Sequence, residues 1–424
     1  MDLSVFSAME SEVRSYVRSF PTVFETARGS VITDESGREY IDFFCGAGAV
    51  NYGHNHPALK KAVIDYLASD GIQHALDMAT SAKRGFLETF HEVILEPRGL
   101  SYKVQFTGPT GANVVEAAFK LARLATGRTG VVAFTHGYHG LSMGALAATA
   151  NSWFRDAAGA HLGDVVFHPY DGYFGSEIDT VAMLEKLIED PSSGLDLPAA
   201  VIVETVQGEG GVNVASAEWL RALRELCTKH GIVFIADEIQ IGIGRSGDFF
   251  GFEASGIVPD MVTLSKSISG YGFPMSILLI NPELDVWKPA MHTGTFRGNT
   301  VALVSATEAL NTFWRDPAFV DGIGRRSELV RSRLDAIAAR HPELFTTRGR
   351  GLLQGLVGKS DNELAGRISR KAFELGLIVE VSGAHDEVLK LMPALLGDSG
   401  EQADETLLHG LDIIDQAVEA VLAE

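Results

Sequence analysis

The sequence predicts an α/β fold: a large domain on a mostly parallel sheet of about seven strands, with a smaller α+β domain. Three observations predict it. Short β-rich runs recur between Lys103 and Ile280, several of them apolar on both faces, with helical patterns between some of them. After Asn299 the texture changes to long helices followed by a mixed segment. No repeat, low-complexity tract or Gly/Ser linker intervenes, so the domains are expected to be interwoven rather than strung in a row.

Taken in order, residues 1–60 mix short extended pieces (VITDES, GREYIDF) with glycine-rich turns. The regular part consists of KVQFT (103–107), VVAFT (131–135), DVVFHPY (164–170), AAVIVETV (199–206), IVFIAD (232–237), MVTLS (261–265) and MSILLI (275–280). Strands covered by helices on both sides lose the alternation of a half-exposed strand, and these runs have lost it. Helical patterns lie at 113–125 (NVVEAAFKLARLA) and 217–230 (AEWLRALRELCTKH). Helices are then expected at 300–315 and 318–340, extended pieces in RGRGLLQGLVG, GLIVEVSG and VLKLMP, and a last helix at 403–423. The expected division is a large domain over 60–310 and a small one built from both termini, 1–59 and 311–424.

Composition narrows the function. The chain has 424 residues, 46% hydrophobic and 21% charged, with 35 basic against 55 acidic side chains and a net charge of −20. A strongly acidic protein is a poor partner for nucleic acid or an anionic membrane, so any anionic ligand must be held by a local arrangement of donors. No apolar run is long enough to span a bilayer, and the N-terminus lacks the cationic start and apolar stretch of a signal peptide. Only two cysteines occur, Cys45 and Cys227, with no CxxC pair, which argues for a reducing compartment and against structural zinc. A cytoplasmic protein is expected.

Three features carry chemistry. In GPTGANVVEAAFKLAR (108–123), a strand runs into a loop of glycine and small residues that opens a helix. The free N–H groups and positive dipole end of such a helix form an anion site, to which Thr110 adds a hydroxyl; alone, the same pattern is an ordinary helix cap. Asp237 ends the run IVFIAD, at the carboxyl end of a core strand, where α/β sheets bind ligands. Buried there, it stays charged beside a cation such as a protonated ring nitrogen, although a capping or salt-bridged Asp is the commoner case. Gln240, three residues on, is a neutral donor that could reach a ring hydroxyl. Lys266, in MVTLSKSISGYG, lies just past the next β-run. A desolvated lysine has a lowered pKa and can form a Schiff base, whereas an arbitrary loop lysine is simply solvated.

An anion cradle, an acid for a pyridinium nitrogen and a Schiff-base lysine are together the parts a pyridoxal phosphate site requires. Tyr138, in THGYHG, could stack on the ring. The pairs His54/His56 and His136/His139 lack the HExxH pattern and its helical setting, so no metal is expected.

These residues resemble the class III (ω-) aminotransferases of fold type I from about Phe20 to the C-terminus. The matching stretches include NYGHNHPAL (51–59), GANVVEAAFKLAR (111–123), ETVQGEGGV (204–212), FIADEIQIGIGRSGDFF (234–250), PDMVTLSKSISG (259–270), GTFRGN (294–299) and RGRGLLQGL (348–356). The resemblance implies that Thr110, Gly111 and Ala112 hold the cofactor phosphate, and that Tyr138 and His139 lie at the ring. Asp237 would pair with the ring nitrogen, Gln240 with the phenolic oxygen, and Lys266 would bind pyridoxal 5′-phosphate covalently. Thr295 would reach the phosphate in a neighbouring subunit, which makes a homodimer the catalytic unit, with a higher homo-oligomer open. Glu209 and Lys390 would form a gated anion site; many relatives carry Arg where this chain has Lys390, and each residue also reads as a structural one, a turn acid and a strand-end lysine. Ornithine-specific members would carry Arg and Tyr where this chain has Leu141 and Ala47.

Within the family, DGIQHALDMATSAK and the stretch ISGYGFPMSILLINPELDVWKPAMHTGTFRGN are similar to members that exchange an amino group between L-2,4-diaminobutyrate and 2-oxoglutarate in ectoine biosynthesis. The expected partners are therefore a small amino donor and a 2-oxo acid. Another ω-aminotransferase (on 4-aminobutyrate, ornithine or acetylornithine) and a non-catalytic cofactor-binding scaffold are the alternatives.

Overall fold

The computed structural model describes residues 2–359, 361–397 and 404–424. At its centre is a seven-stranded sheet: β1 (Lys103–Phe106), β2 (Val131–Phe134), β3 (Val165–His168), β4 (Ala200–Val203), β5 (Val233–Asp237), β6 (Met261–Leu264) and β7 (Ile277–Ile280). The spatial order is β1-β7-β6-β5-β4-β2-β3. β7 runs antiparallel to both its neighbours and the other strands are parallel to one another. Each β-rich run of the sequence is thus one strand of this sheet, and β2, β4, β5, β6 and β7 are buried at every position.

Helix α1 (Gly111–Thr126) covers one face of the sheet. It begins where the Thr110 side chain accepts a bond from the Asn113 amide and ends at Gly127, whose φ of 69° reverses the chain. Its apolar face, including Val114, Val115, Ala118, Phe119 and Leu121, packs on Val131, Ile202, Ile235 and Met261. Each large side chain buried there contributes about 1.5–3 kcal/mol. Truncating Phe119 to alanine is the single change that would most loosen this layer, by about 3–5 kcal/mol. On the other face lies a larger core that includes α2 (Ala217–His230), capped by Ser216, which accepts from the Trp219 amide, and closed by Gly231 at φ 60°.

Around this layer lie the elements from both ends of the chain. Strands Phe24–Arg28, Val31–Asp34 and Glu39–Asp42 form an antiparallel sheet that Leu377–Ile378 extends in parallel, with Ile41 opposite Leu377. Helices α3 (Thr300–Phe313) and α4 (Pro317–Arg340) follow the large sheet in sequence. Next comes a second four-stranded sheet of Phe345–Arg350, Leu353–Gly358, Val388–Leu391 and Glu380–Ser382, entirely antiparallel. Helix α5 (Leu364–Leu375) packs against α6 (Glu405–Leu422); residue 403, where the last helix was expected to begin, lies outside the described residues. Arg245, fully buried, joins these parts by donating to Asn51 Oδ1 at 2.7 Å, Leu352 O at 2.9 Å and Pro393 O at 2.6 Å.

Candidate active site

The parallel strands point their carboxyl ends the same way, so the segments that follow β1, β2, β4, β5 and β6 gather along one edge of the sheet. Asp237, the last residue of β5, is 4% exposed there. Its Oδ2 lies 2.7 Å from His139 Nδ1, and its Oδ1 accepts from the Thr263 hydroxyl and the Ile239 amide, both at 3.1 Å. Thr263 faces Asp237 directly in the β5–β6 register. A buried carboxylate needs such donors to remain tolerable, and this one has three. Burial opposes a charge on His139, but its bond to Asp237 and that carboxylate's field outweigh the burial and raise its pKa. His139, grouped by sequence with the ring-binding residues, is here hydrogen-bonded to Asp237.

Lys266 follows β6 and has a φ of 52°. A left-handed, non-glycine residue costs about 1–2 kcal/mol, and such strain concentrates where a side chain must be aimed. The Lys266 amine has no hydrogen-bond or ion-pair partner among the described residues. Burial, aided by the Lys390 charge, lowers its pKa against the opposing pull of Glu209, Glu380 and Asp237. A cationic amine becomes a usable nucleophile under those conditions.

A second cluster stands beside it. Lys390 is fully buried, with Nζ 2.7 Å from Glu209 Oε1 and 2.9 Å from Glu380 Oε1. Glu380 and Lys390 are direct partners across two antiparallel strands. Gln240 donates from Nε2 to Glu209 Oε1 at 2.9 Å and to Ala47 O at 3.2 Å, while its Oε1 is buried without a partner. Residue 208 is glycine for a local reason: a Cβ there would lie 1.7 Å from Gln240 Oε1. Lys390 holds Glu209 well down, at about 2, against burial, which alone would raise it.

The remaining predicted residues are more dispersed. Thr110 is exposed, and its hydroxyl accepts from the Asn113 amide and side chain, so it caps α1. The Gly111 and Ala112 amides make no backbone bond among the described residues, and a Cβ on Gly111 would press on Ile239 at 3.2 Å. Tyr138 is half-buried with its ring edge-on to Phe154 at 5.6 Å, and its amide donates to Glu204 Oε1 at 2.9 Å. Thr295 is exposed, next to Phe296, and has no bond to the other site residues of its own chain among those described.

Sequence reasoning missed Glu204 and Glu380. Glu204 follows β4 as Asp237 ends β5; burial, with Asp237 and Glu209 adding to it, pushes it up to about 7. Glu380 is a lone acid in the apolar run GLIVEVSG, the one local signal it gives. Neither histidine pair belongs to a group of possible ligands close enough to share an ion among the described residues. The group that does, Glu185, Glu189 and His230, already has Lys229 Nζ at 2.7 and 2.6 Å from its carboxylates.

The family model "Aminotransferase class-III" matches residues 13–418. The chain belongs to this family. Among curated relatives, diaminobutyrate–2-oxoglutarate transaminase of Bordetella parapertussis is 59% identical over 425 residues, covering 100% of this chain and 97% of the relative. A protein of the same name from Wolinella succinogenes is 52% identical over 423 residues, covering 100% and 97%. Among solved structures, a Bacillus anthracis aminotransferase superposes with a TM-score of 0.87 at 22% identity, covering 98% of this chain and 97% of that one. An ornithine aminotransferase from Toxoplasma gondii, with PLP at partial occupancy in its active site, gives 0.81 at 24% identity, covering 98% and 93%. At that identity the structural likeness speaks to the fold.

The cofactor of class III aminotransferases is pyridoxal 5′-phosphate. This chain's residues fit it. Gln240 Oε1 is buried and unpartnered, the half-buried Lys266 amine has no partner among the described residues, and the first two amides of α1 are free of backbone bonds. An aldehyde, an aromatic ring with a basic nitrogen and a phosphate would use those groups together with Asp237.

Proposed function

We propose that the protein exchanges an amino group between L-2,4-diaminobutyrate and 2-oxoglutarate, giving L-aspartate 4-semialdehyde and L-glutamate. In the biosynthetic direction glutamate aminates the semialdehyde, the first step of ectoine formation in osmoadaptation. The observation that carries the chemistry is the half-buried, unpartnered amine of Lys266 on a strained residue, beside the strand that ends in Asp237. The substrate choice is supported by the full-length relatives of that name. Leu141 and Ala47, standing where ornithine-specific members would have Arg and Tyr, support it against ornithine.

In this reading pyridoxal phosphate, when bound, supplies the electron-withdrawing ring on which amino groups exchange. Lys266 would hold the cofactor's aldehyde, and its freed amine would carry the proton to and from the substrate carbon as base and then acid. Its lowered pKa suits it to both duties. Asp237, fixed by His139 and Thr263, holds a proton on the ring nitrogen. Gln240 would meet the ring oxygen, Tyr138 would cover the ring, and Thr110, Gly111 and Ala112 would take the phosphate. The 60–310 portion carries these groups, and the two terminal portions form the smaller domain that adds Lys390.

The proposed unit is a cytoplasmic homodimer. Thr295 sits among exposed apolar residues, including Phe296 (67% exposed), Met78 (60%) and Ile72 (56%), a surface that a second copy would cover. Arg297 pairs with Asp77 at 2.6 Å and the His74 and Phe296 rings meet at 5.5 Å, which gathers the two segments into one patch. That arrangement supports Thr295 serving the partner's phosphate.

The test is an absorbance spectrum of purified protein before and after L-2,4-diaminobutyrate without a 2-oxo acid. Conversion of the lysine-bound cofactor to its amine form is expected. A protein that responds to ornithine or 4-aminobutyrate instead keeps the chemistry and moves the substrate. One that cannot be loaded with pyridoxal phosphate overturns the reading.

A further inference from the structure

We propose that Asp77 and Arg297 reach across the dimer and hold the free amino-acid end of the diamino donor in the partner subunit's site. Arg297 takes the α-carboxylate and Asp77 the α-ammonium, so each site is incomplete without the second copy. The inference rests on the proposed function and names the donor-specificity residues of that same site.

L-2,4-diaminobutyrate reacts at one amine and keeps an ammonium and a carboxylate on a single carbon at its other end. A selective site must meet both charges, since a charged group taken out of water without a partner is costly. The positions at which ornithine-specific members would carry Arg and Tyr hold Leu141 and Ala47, whose side chains offer neither charge nor hydrogen bond. A cation and an anion held side by side would serve instead. The patch that carries Thr295 has such a pair.

Thr295 and Arg297 share one turn, closed by the Arg297 amide donating to Gly294 O at 3.3 Å. Whatever brings Thr295 to the partner's phosphate therefore brings Arg297 to the same place. Its Nη2 lies 2.6 Å from Asp77 Oδ2 and its Nη1 donates to His292 O at 3.3 Å, while Nε is buried with no acceptor. The Arg297 side chain is 16% exposed and that of Asp77 71%, and Arg297 is the one partner of that carboxylate among the described residues. In a single chain an ion pair so open to water contributes little. Covered by a second copy it loses its water, and both groups then need the further partners that a zwitterion supplies. A guanidinium's fork of donors suits a carboxylate in particular.

The segment that presents Asp77 is shaped for something outside its own chain. From Ile72 to Ala79 only Ala75 is buried, and Leu76 is held at a φ of 52°, a strained backbone for a residue with a side chain. Three of its carbonyls are nevertheless tied down. The Tyr66 hydroxyl donates to Ile72 O at 2.7 Å, the Thr300 hydroxyl to Gln73 O at 3.3 Å and Lys83 Nζ to Met78 O at 2.8 Å. An exposed segment that is strained and yet pinned is preorganised, and its ordering is complete before a ligand arrives.

The experiment uses cofactor-loaded mixed dimers, co-expressed with two different tags and purified on both, so that every molecule measured has assembled. The readout is single-turnover conversion of the lysine-bound cofactor to its amine form at limiting diaminobutyrate. In one arrangement a Lys266→Ala protomer is paired with an Arg297→Met protomer, and the only site with Lys266 receives an intact Arg297 from across the dimer. In the other, both substitutions lie on one protomer opposite a wild-type one, and the only site with Lys266 receives none. The first should react at the wild-type rate for its single site, the second about tenfold to a hundredfold more slowly. Donor analogues separate the two charges. Asp77→Asn should lose preference for diaminobutyrate over 4-aminobutyrate, which lacks the α-ammonium, and Arg297→Met should lose preference over 1,3-diaminopropane, which lacks the carboxylate. Equal rates in the two arrangements, fast or slow, or analogue preferences unchanged in both variants, overturn this inference while leaving the proposed reaction standing. A wild-type dimer that binds pyridoxal phosphate and ignores diaminobutyrate removes the reaction and the inference together.

Discussion

Replacing His139 with leucine strips one oxygen of a buried carboxylate of its donor while roughly preserving volume. Asp237 would keep Thr263 and Ile239 on Oδ1 and have nothing on Oδ2. A hydrogen bond to a charged group contributes about 1.5–3 kcal/mol, and a bare buried acceptor falls toward the upper end, so a loss of about 2–3 kcal/mol is expected. The pH dependence has a definite sign. The His139 pKa is raised in the folded protein, so the bond's contribution is fully present below the unfolded value of about 6.5 and is lost as pH climbs through the folded one. Glu380, pushed up to about 7, makes stability fall with pH toward neutrality in wild type and variant alike and so largely cancels in the difference, whereas Glu204, which the His139 charge holds down against burial, rises further in the variant and opposes part of the trend. Urea unfolding of cofactor-free protein at pH 6, 7, 8 and 9 should therefore show a deficit that is largest at pH 6 and shrinks upward. His139→Asn, which keeps a neutral donor, should recover about 1 kcal/mol with no pH dependence. A leucine variant as stable as wild type at pH 6, or a deficit that grows with pH, would refute the reasoning.

Other outcomes follow from the same geometry. Lys266→Ala should fold, lose the lysine-bound cofactor absorbance and lose turnover; residual full transamination would remove Lys266 from its role. Lys266→Gly should unfold at higher denaturant than Lys266→Ala, by about 1 kcal/mol, because glycine relieves the left-handed backbone. Asp237→Asn should retain cofactor while kcat falls about a hundredfold or more, a near-normal rate counting against the ring-nitrogen role. Thr110→Ala should cost about 1 kcal/mol through the lost cap and weaken cofactor binding, both readable in one melt series with and without pyridoxal phosphate. Phe296→Arg, at a residue 67% exposed in the single chain, should shift the proposed dimer toward monomer in analytical ultracentrifugation and lower activity with it, since an arginine covered by the second copy without a partner is costly.

The seven strands were legible because a strand covered on both faces is written as an uninterrupted apolar run, and each run became one strand. The placement of Asp237 and Lys266 was legible for a related reason: a polar residue at the end of such a run lies at the carboxyl edge of the sheet. Glu204 gives the same signal and was passed over, because AAVIVETV reads as one strand to Val206. The chain instead leaves the sheet at Val203, buries Glu204 under the Tyr138 amide and resumes in the short pair Val206–Gln207 with Asn213–Val214. His139 could not be assigned to Asp237 from spacing, since the two meet only through the parallel packing of β2, β4 and β5. The Glu380–Lys390 pair depends on antiparallel register, which the apolar pattern of those strands leaves unspecified.

The way the sheets close has a consequence for biogenesis. β1 pairs only with β7, and Ile41 finds its neighbour at Leu377, so the first strands made wait for some of the last. Pairings this distant in sequence are slow to form, since loop-closure entropy is lost before any contact repays it. The ribosome-bound chain therefore exposes apolar strands until synthesis is nearly complete, which makes it a natural client for chaperones. Lys390 is delivered later than Lys266, so a truncated chain presents Lys266 without the Lys390 pairs to Glu209 and Glu380. Expression yield should accordingly respond more to slow translation and low temperature than to supply of the cofactor.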